Sequence, residues 1–384
     1  MGGYSLDKVP AISQSAGALD GLGADVKKIG GDAARVLLVA DPGLAATGVI
    51  ARAEAALDAE KLPYATFSAF KSDPSCAQAD EAAALARRER ATIVVALGGG
   101  SALDVGKAVA AVAGAEAPAV TYQLCEAPLP KPLLKICIPT TSGTGSETTR
   151  TAVLSRPDGT KIWLWGDELK ADLVLLDPTV TVGLPPALTA ATGIDALVHA
   201  IEACTNANGN PGNDIYAHGA IRLVAKHLLR AVAEPGDLEA RGGLQVAAAF
   251  AGIAIDNCGT AVAHNIGHAL ASIRPVHHGR AVGLAMLATL EWNAAHDPEG
   301  RFAAAAEAMG LGRDAKALAP GFASLLRRSG IKVSLAGEGH DHVTPELLAE
   351  HMAAPENAPM RHSNHRTIAD ADLIVFARAV LTQE

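Results

Sequence analysis

Residues 92–110, TIVVALGGGSALDVGKAVA, decide the fold. The run TIVVAL is a short apolar, β-branched segment of the kind found in strands buried on both faces. It ends on three glycines, and a helical stretch begins near Ser101. Working outward, RVLLVA at 35–40 and YATFSAF at 64–70 are further strands, with helices expected through 44–60 and 76–90. On the other side, KICIPTT at 135–141 and LVLLDP at 173–178 add strands, and KIWLW at 161–165 is placed in an outer hairpin. Apolar strands alternating with helices mean a parallel sheet, so residues 1–184 are expected to form an α/β dinucleotide-binding domain.

From LPPALTAATGIDALVHAIEA (184–203) onward the texture changes. Apolar residues recur at helical spacing and β-branched runs almost vanish, so residues 185–384 are expected to be all-helical. Pro185 and Pro186 mark the boundary, since proline is pre-set for the first turn of a helix. With 384 residues, 49% hydrophobic and 19% charged, the chain has ample material for cores and is not disordered. A net charge of −9, with no basic run, excludes nucleic acid as the main partner. No secretory layout opens the chain and no stretch of about 18 uninterrupted apolar residues offers a membrane span, so a cytoplasmic location and no membrane partner are expected. Five scattered cysteines without a CxxC pair fit reduced thiols.

Two loops invite a ligand. The glycines after TIVVAL let backbone N–H groups approach an anion, and the helix N-terminus behind them adds roughly half a positive charge. A tight turn needing left-handed glycine explains the same residues equally well. The pattern is neither GxGxxG nor a P-loop. The second loop, PTTSGTGSETT at 139–149, follows KICI and is rich in hydroxyls; beside the first it would line one crevice at the carboxyl end of the sheet. Asp41, at the end of RVLLVA, is placed to take a ribose hydroxyl and disfavour a 2′-phosphate, or simply to cap the following turn.

The second half gathers histidines. HNIGHALASIRPVHHG (264–279) holds His264 and His268 four apart on one helix face, then His277 and His278 beyond Pro275, which should end that helix. GIDALVHAIEA places Asp195 and His199 four apart on another helix. Two such pairs can converge on one divalent ion, and imidazole with a carboxylate suits Fe2+ or Zn2+ better than Mg2+ or Ca2+. A single carboxylate leaves the site near +1, a charge that would stabilise an alkoxide.

These motifs together resemble the iron-dependent (group III) alcohol dehydrogenases, related to glycerol dehydrogenase and dehydroquinate synthase. The resemblance runs through GGGSALDVGK, PTTSGTGSE, Lys161 ahead of LVLLDP, LPPALTAATGIDALVHAIEA and the histidine segment, in the family's order. It implies Asp195, His199, His264 and His278 as metal ligands for Fe2+, with Zn2+ also accepted, and His268 as the residue facing substrate near the nicotinamide. For NAD it implies Gly99, Gly100 and Ser101 at the pyrophosphate, and Thr140, Thr141 and Thr144 toward the nicotinamide. Lys161 falls at a ribose and Asp41 at the adenosine ribose, with Gly98, Asp104, Ser142 and Val180 completing the set. A small alcohol or aldehyde substrate and a homodimer are further implications.

The chain departs from the family's HxxxHPLG and PHG pattern, lacking that proline and a following aromatic and adding Arg274 and His277, so the resemblance does not carry a substrate over. Arg274 either reads an acid group on the substrate or is a solvated or ion-paired residue at a helix end. His340, His342, His362 and His365 are not expected to bind metal, and the last two are expected at the surface. The expected activity is hydride transfer between an alcohol and NAD. The rivals are a metal-dependent lyase or hydrolase of the dehydroquinate synthase kind, told apart by the absence of net NADH, and a maleylacetate-type reductase.

Overall fold

The computed structural model describes residues 4–383, which cluster into two compact units. One is Lys8–Leu184, and the other joins the residues up to Asp7 with those from Pro185 on. Residues 4–7 therefore belong with the helical unit, where the Asp7 amide donates to Asn257 Oδ1 at 2.9 Å.

In the first unit the strands are β1 (Ala11–Gln14), β2 (Val36–Ala40), β3 (Tyr64–Phe67), β4 (Ile93–Gly98), β5 (Leu134–Pro139), β6 (Thr151–Ser155), β7 (Lys161–Trp165) and β8 (Leu173–Leu176). Six of them form one parallel sheet in the order β1-β8-β5-β4-β2-β3, and β6 and β7 pair as a separate antiparallel hairpin. Alternate residues of the central strands enter two different cores. Leu37, Val39 and Val94 pack on one face, and Val36, Leu38, Ile93 and Val95 on the other. Both faces being apolar is why these strands read as unbroken hydrophobic runs. Helices α1 (Leu22–Gly30) and α2 (Val49–Ala59) bury Leu22, Val26, Ala53 and Leu57 in the second core, and α3 (Cys76–Arg88) and α4 (Gly100–Val112) bury Ala79, Ala83, Val105 and Val109 in the first. Each such fully buried Leu or Val contributes about 1.5–3 kcal/mol.

The helix expected over 44–60 is in fact split. Pro42–Thr47 forms a 3-10 turn, and Gly48 at φ +77 breaks it from α2. All four residues of the edge strand β1 are exposed, and it has no sequence counterpart among the expected strands. Gly106 lets α4 lie against β4, since a Cβ there would sit 2.4 Å from that of Ala96.

The second unit is helical: α5 (Pro186–Thr205), α6 (Pro211–Ala233), α7 (Leu238–Cys258), α8 (Val262–Ile273), α9 (His278–Ala294), α10 (Arg301–Ala308), α11 (Ala315–Arg328), α12 (Pro345–Met352), α13 (Ala358–His362) and α14 (Asp370–Leu381). Proline at the first turns of α5 and α6, and the side chains of Asn210 and Asp237 capping α6 and α7, set where the helices begin. Helix α5 is buried without interruption from Thr189 to Thr205, so that stretch has no solvent-exposed side. It and α7 are long and apolar enough to cross a membrane, but most of the apolar stretch in each is buried within the protein, as in a core helix.

Candidate metal centre and cofactor loops

Asp195 and His199 lie one turn apart on α5, His264 and His268 one turn apart on α8, and His278 opens α9. Gly279 is what lets α9 start here: a Cβ on it would come within 2.1 Å of the Ala191 carbonyl oxygen on α5. The four residues Asp195, His199, His264 and His278 each offer one donor atom, and these atoms all lie within 4.8 Å of one another. Asp195 Oδ1 is 3.9 Å from His199 Nδ1, 3.9 Å from His264 Nε2 and 3.5 Å from His278 Nε2. Donors about 2.0–2.2 Å from a shared tetrahedral ion stand about 3.3–3.6 Å apart. The set is therefore close to a ligand cage.

Its electrostatics point the same way. Asp195, His199 and His264 are buried, and Asp195 Oδ1, His199 Nδ1 and His264 Nε2 have no hydrogen-bond partner. An unpaired buried polar atom costs about 1–3 kcal/mol, so three aimed at one point call for a ligand that satisfies all of them. Burial pushes Asp195 above the usual carboxylate range and holds His264 well below the usual imidazole range. A neutral imidazole is the form that coordinates a metal. The residues present fit a divalent ion.

His268 is half-buried beside the cluster, its ring centroid 5.3 Å from that of His278 and 6.1 Å from that of His264. His277 is exposed and precedes α9 as its cap residue. Behind His264 stands a residue the sequence reading passed over, Glu202. Its carboxylate takes the His264 Nδ1 contact at 2.6 Å and accepts from the amides of Ala261 at 2.8 Å and Ala263 at 2.6 Å. Burial pushes Glu202 up to about 7, opposed by those amide bonds. The signal was present in the sequence: Glu202 follows Asp195 by seven and His199 by three, on the same helix face.

In the first unit the two expected loops lie side by side at the carboxyl ends of β4 and β5. The Thr140 amide donates to the Gly98 carbonyl at 3.0 Å, and a Cβ on Gly100 would sit 2.8 Å from the Thr144 methyl. Gly98, at φ +151, has room for no side chain between Asp41 and Ala102. Gly99 is the N-cap of α4 without a side chain to occupy it, and Ser101 is in its first turn, half-buried. Thr140 and Ser142 are buried, while Thr141 and Thr144 are partly open. Asp41 is half-buried next to Gly98, and its Oδ1 accepts from the Gly43 amide at 2.8 Å, so it does cap the following turn.

Three further residues expected at the cofactor have protein partners. Asp104 accepts from Ser146 Oγ at 2.5 Å and from the Val153 amide at 3.1 Å, so it ties α4 to the hydroxyl loop. Lys161 pairs with Asp73 at 2.7 Å on the exposed end of the hairpin. Val180 is buried in the core after β8. Lys107, also passed over, is fully buried and its ammonium donates to the carbonyls of Ser146, Thr149 and Thr151 and to Thr149 Oγ1. It lies one helical turn from Asp104, which is why only a folded loop reveals its role.

Of the remaining histidines, His342 and His362 are exposed, and His340 is buried with both ring nitrogens unpartnered. His365, expected at the surface, is half-buried: its ring packs 5.9 Å from Phe302 and 6.2 Å from His296. Arg274 is exposed, with Nε donating to the Glu338 carbonyl at 3.2 Å and its guanidinium over Gly339.

A parallel sheet with paired glycine and hydroxyl loops, together with a helical unit carrying one carboxylate and three imidazoles, defines a class of metal-dependent dehydrogenase. The comparisons agree. Residues 10–178 match the model of the iron-containing alcohol dehydrogenases, and residues 189–379 match that of the Fe-containing alcohol dehydrogenase family, C-terminal. The chain is 38% identical over 266 residues to long-chain-alcohol dehydrogenase 1 of Geobacillus thermodenitrificans, covering 68% of this chain and 67% of that one. Among solved structures it is similar to 1,3-propanediol oxidoreductase (TM-score 0.91, 29% identity, 98% of this chain and 100% of that one). It is also similar to sulfoacetaldehyde reductase from Bifidobacterium kashiwanohense in complex with NAD+ (TM-score 0.89, 28% identity, 99% of each). The chain belongs to the iron-containing alcohol dehydrogenase family.

Proposed function

We propose that Asp195, His199, His264 and His278 hold a divalent iron and that the enzyme moves a hydride between a small alcohol and NAD, reducing the corresponding aldehyde or ketone in reverse. The observation that carries this reading is the convergence of three buried, unpartnered donor atoms on one point. When bound, the ion supplies Lewis acidity to the substrate oxygen and the cofactor takes the hydride. The chain's own residues do the rest. Four side chains on three helices would hold the ion, and His268, beside His278 and not among the ligands, is the residue this reading assigns to moving a proton to or from the substrate hydroxyl. The amides at the start of α4 and the hydroxyls of Thr141 and Thr144 would receive the diphosphate and nicotinamide ends of the cofactor.

Asp41 supports NAD over NADP, because its carboxylate stands beside the glycine loop where a second phosphate would be repelled. Asp104 and Lys107 act on the cofactor indirectly, by holding the hydroxyl loop. Lys161 and Val180 stay in the cofactor set on the family resemblance alone. A homodimer is part of the reading, supported by the exposed edge of β1, and so is a reducing cytoplasmic setting, supported by five unpaired cysteines.

The test is NADH formation by chelator-stripped protein reconstituted without oxygen with Fe2+ or Zn2+, across short alcohols, diols and hydroxy acids, with His264→Ala as control. Metal-dependent NADH production that disappears in the variant is expected. Metal and NAD+ binding without NADH from any substrate would overturn the dehydrogenase reading in favour of redox-neutral turnover.

A further inference from the structure

We propose that Glu202 is a positioning residue for the metal, orienting His264 from behind and locking the two ligand helices α5 and α8 in register. The inference rests on the ligand set proposed above. Three donors converge on the Glu202 carboxylate: the amides of Ala261 and Ala263 at the start of α8, and His264 Nδ1. The side chain is itself nearly inaccessible, at 4% exposure. Both oxygens of this carboxylate accept α8 amides, the pattern of an acceptor, so the proton of the 2.6 Å contact is assigned to His264 Nδ1. That assigns the tautomer, and it leaves the lone pair on Nε2, the atom that has no partner in the protein and faces Asp195 Oδ1. A carboxylate behind a ligating imidazole fixes the ring and raises its basicity.

The same carboxylate does a second thing. Because Asp195, His199 and Glu202 share one face of α5, the α8 amides that Glu202 binds are held at a fixed distance from the two α5 ligands. Ala261 and Ala263 are among the amides that a helix start leaves without an intrahelical partner, and α8 has no cap side chain of its own. Glu202 supplies the cap from the neighbouring helix. With it counted, the ligand set would be backed by a second carboxylate one imidazole away from the ion's position.

The experiment titrates chelator-stripped wild type, Glu202→Gln, Glu202→Asp and His264→Ala with Zn2+ against a chromogenic chelator. Co2+ absorption spectra of the same proteins report ligand geometry independently of turnover. Glu202→Gln is expected to bind Zn2+ about 10–100-fold more weakly than wild type, with an altered Co2+ spectrum. Binding within twofold of wild type together with an unchanged Co2+ spectrum overturns the proposal, because a cap that only stabilised the fold would shift the apo unfolding temperature and leave both alone. Should Glu202→Gln fail to fold, Glu202→Asp decides, since it keeps the charge and withdraws it by one methylene: undiminished affinity overturns the proposal, and weakened affinity supports it. If wild type binds Zn2+ no better than His264→Ala, the ligand set itself falls. If wild type outbinds His264→Ala but matches Glu202→Gln, Glu202 alone is misassigned.

Discussion

The two candidate sites are built on opposite principles. In the helical unit, three of the four clustered donor atoms, on Asp195, His199 and His264, are side-chain atoms left without partners in a buried setting. In the α/β unit, the loops are made of backbone amides and small hydroxyls, and the charged residues around them, Asp104 and Lys107, are consumed by internal bonds. The first arrangement stores an unsatisfied demand that a cation can meet, and costs stability until it does. The second stores shape, a close-packed pair of turns whose amides stay available because glycine leaves them uncovered.

That contrast can be broken most sharply at the cluster. Asp195→Ala removes the lone carboxylate ligand, and NAD-linked activity is expected to fall by at least about a thousandfold with loss of tight metal binding, as measured by metal analysis after dialysis and by kcat/KM. The same variant should raise apo stability or leave it unchanged, since it deletes a buried charge, and a large drop in apo Tm would contradict the stored demand. Lys107→Met sits at the other pole. It strands Asp104 and several buried carbonyls, so a destabilisation of about 3–5 kcal/mol is expected by urea unfolding, in contrast to Asp195→Ala.

Gly100→Ala tests shape alone. Its new methyl would press on Thr144 at 2.8 Å, and KM for NAD+ should rise about tenfold while Zn2+ affinity is untouched. Asp41→Asn should shift the NADP+/NAD+ ratio of kcat/KM upward by several-fold, a smaller change because Asn still caps the turn through its oxygen. The smallest effect is expected of Arg274→Ala. Its guanidinium already rests on the Glu338–Gly339 backbone, so KM for hydroxy acids should stay within about twofold of wild type, whereas a selective rise for acids over plain alcohols would restore the acid-reading role.

The sheet was legible wherever strands are buried on both faces, because burial itself writes the apolar run. β1 was not, since its four exposed residues become a strand only by pairing with β8 some 160 positions later. Helical spacing alone showed two pairs, Asp195 with His199 and His264 with His268; that His264 and His278, and not His268, complete the cluster followed only from the family resemblance. Asp104 and Lys107 looked like cofactor-loop chemistry or an unremarkable helix position, because the folding of 146–153 over them is a long-range event that local spacing does not record. Glu202 had the right spacing on α5, but its partners lie about sixty residues away on α8. His365 was misjudged for the same reason, its neighbours Phe302 and His296 coming from a distant turn.

Helix α5, buried from Thr189 to Thr205, has one more consequence. A stretch with no solvent-exposed side cannot fray locally, so its amide protons are expected to exchange with deuterium only when the whole unit opens. His278 is different: it begins α9 and its side chain is 35% exposed. The cage therefore has a slow wall and a fast corner, and in a hydrogen-exchange time course the amides of Asp195 and His199 should remain protonated long after that of His278 has turned over.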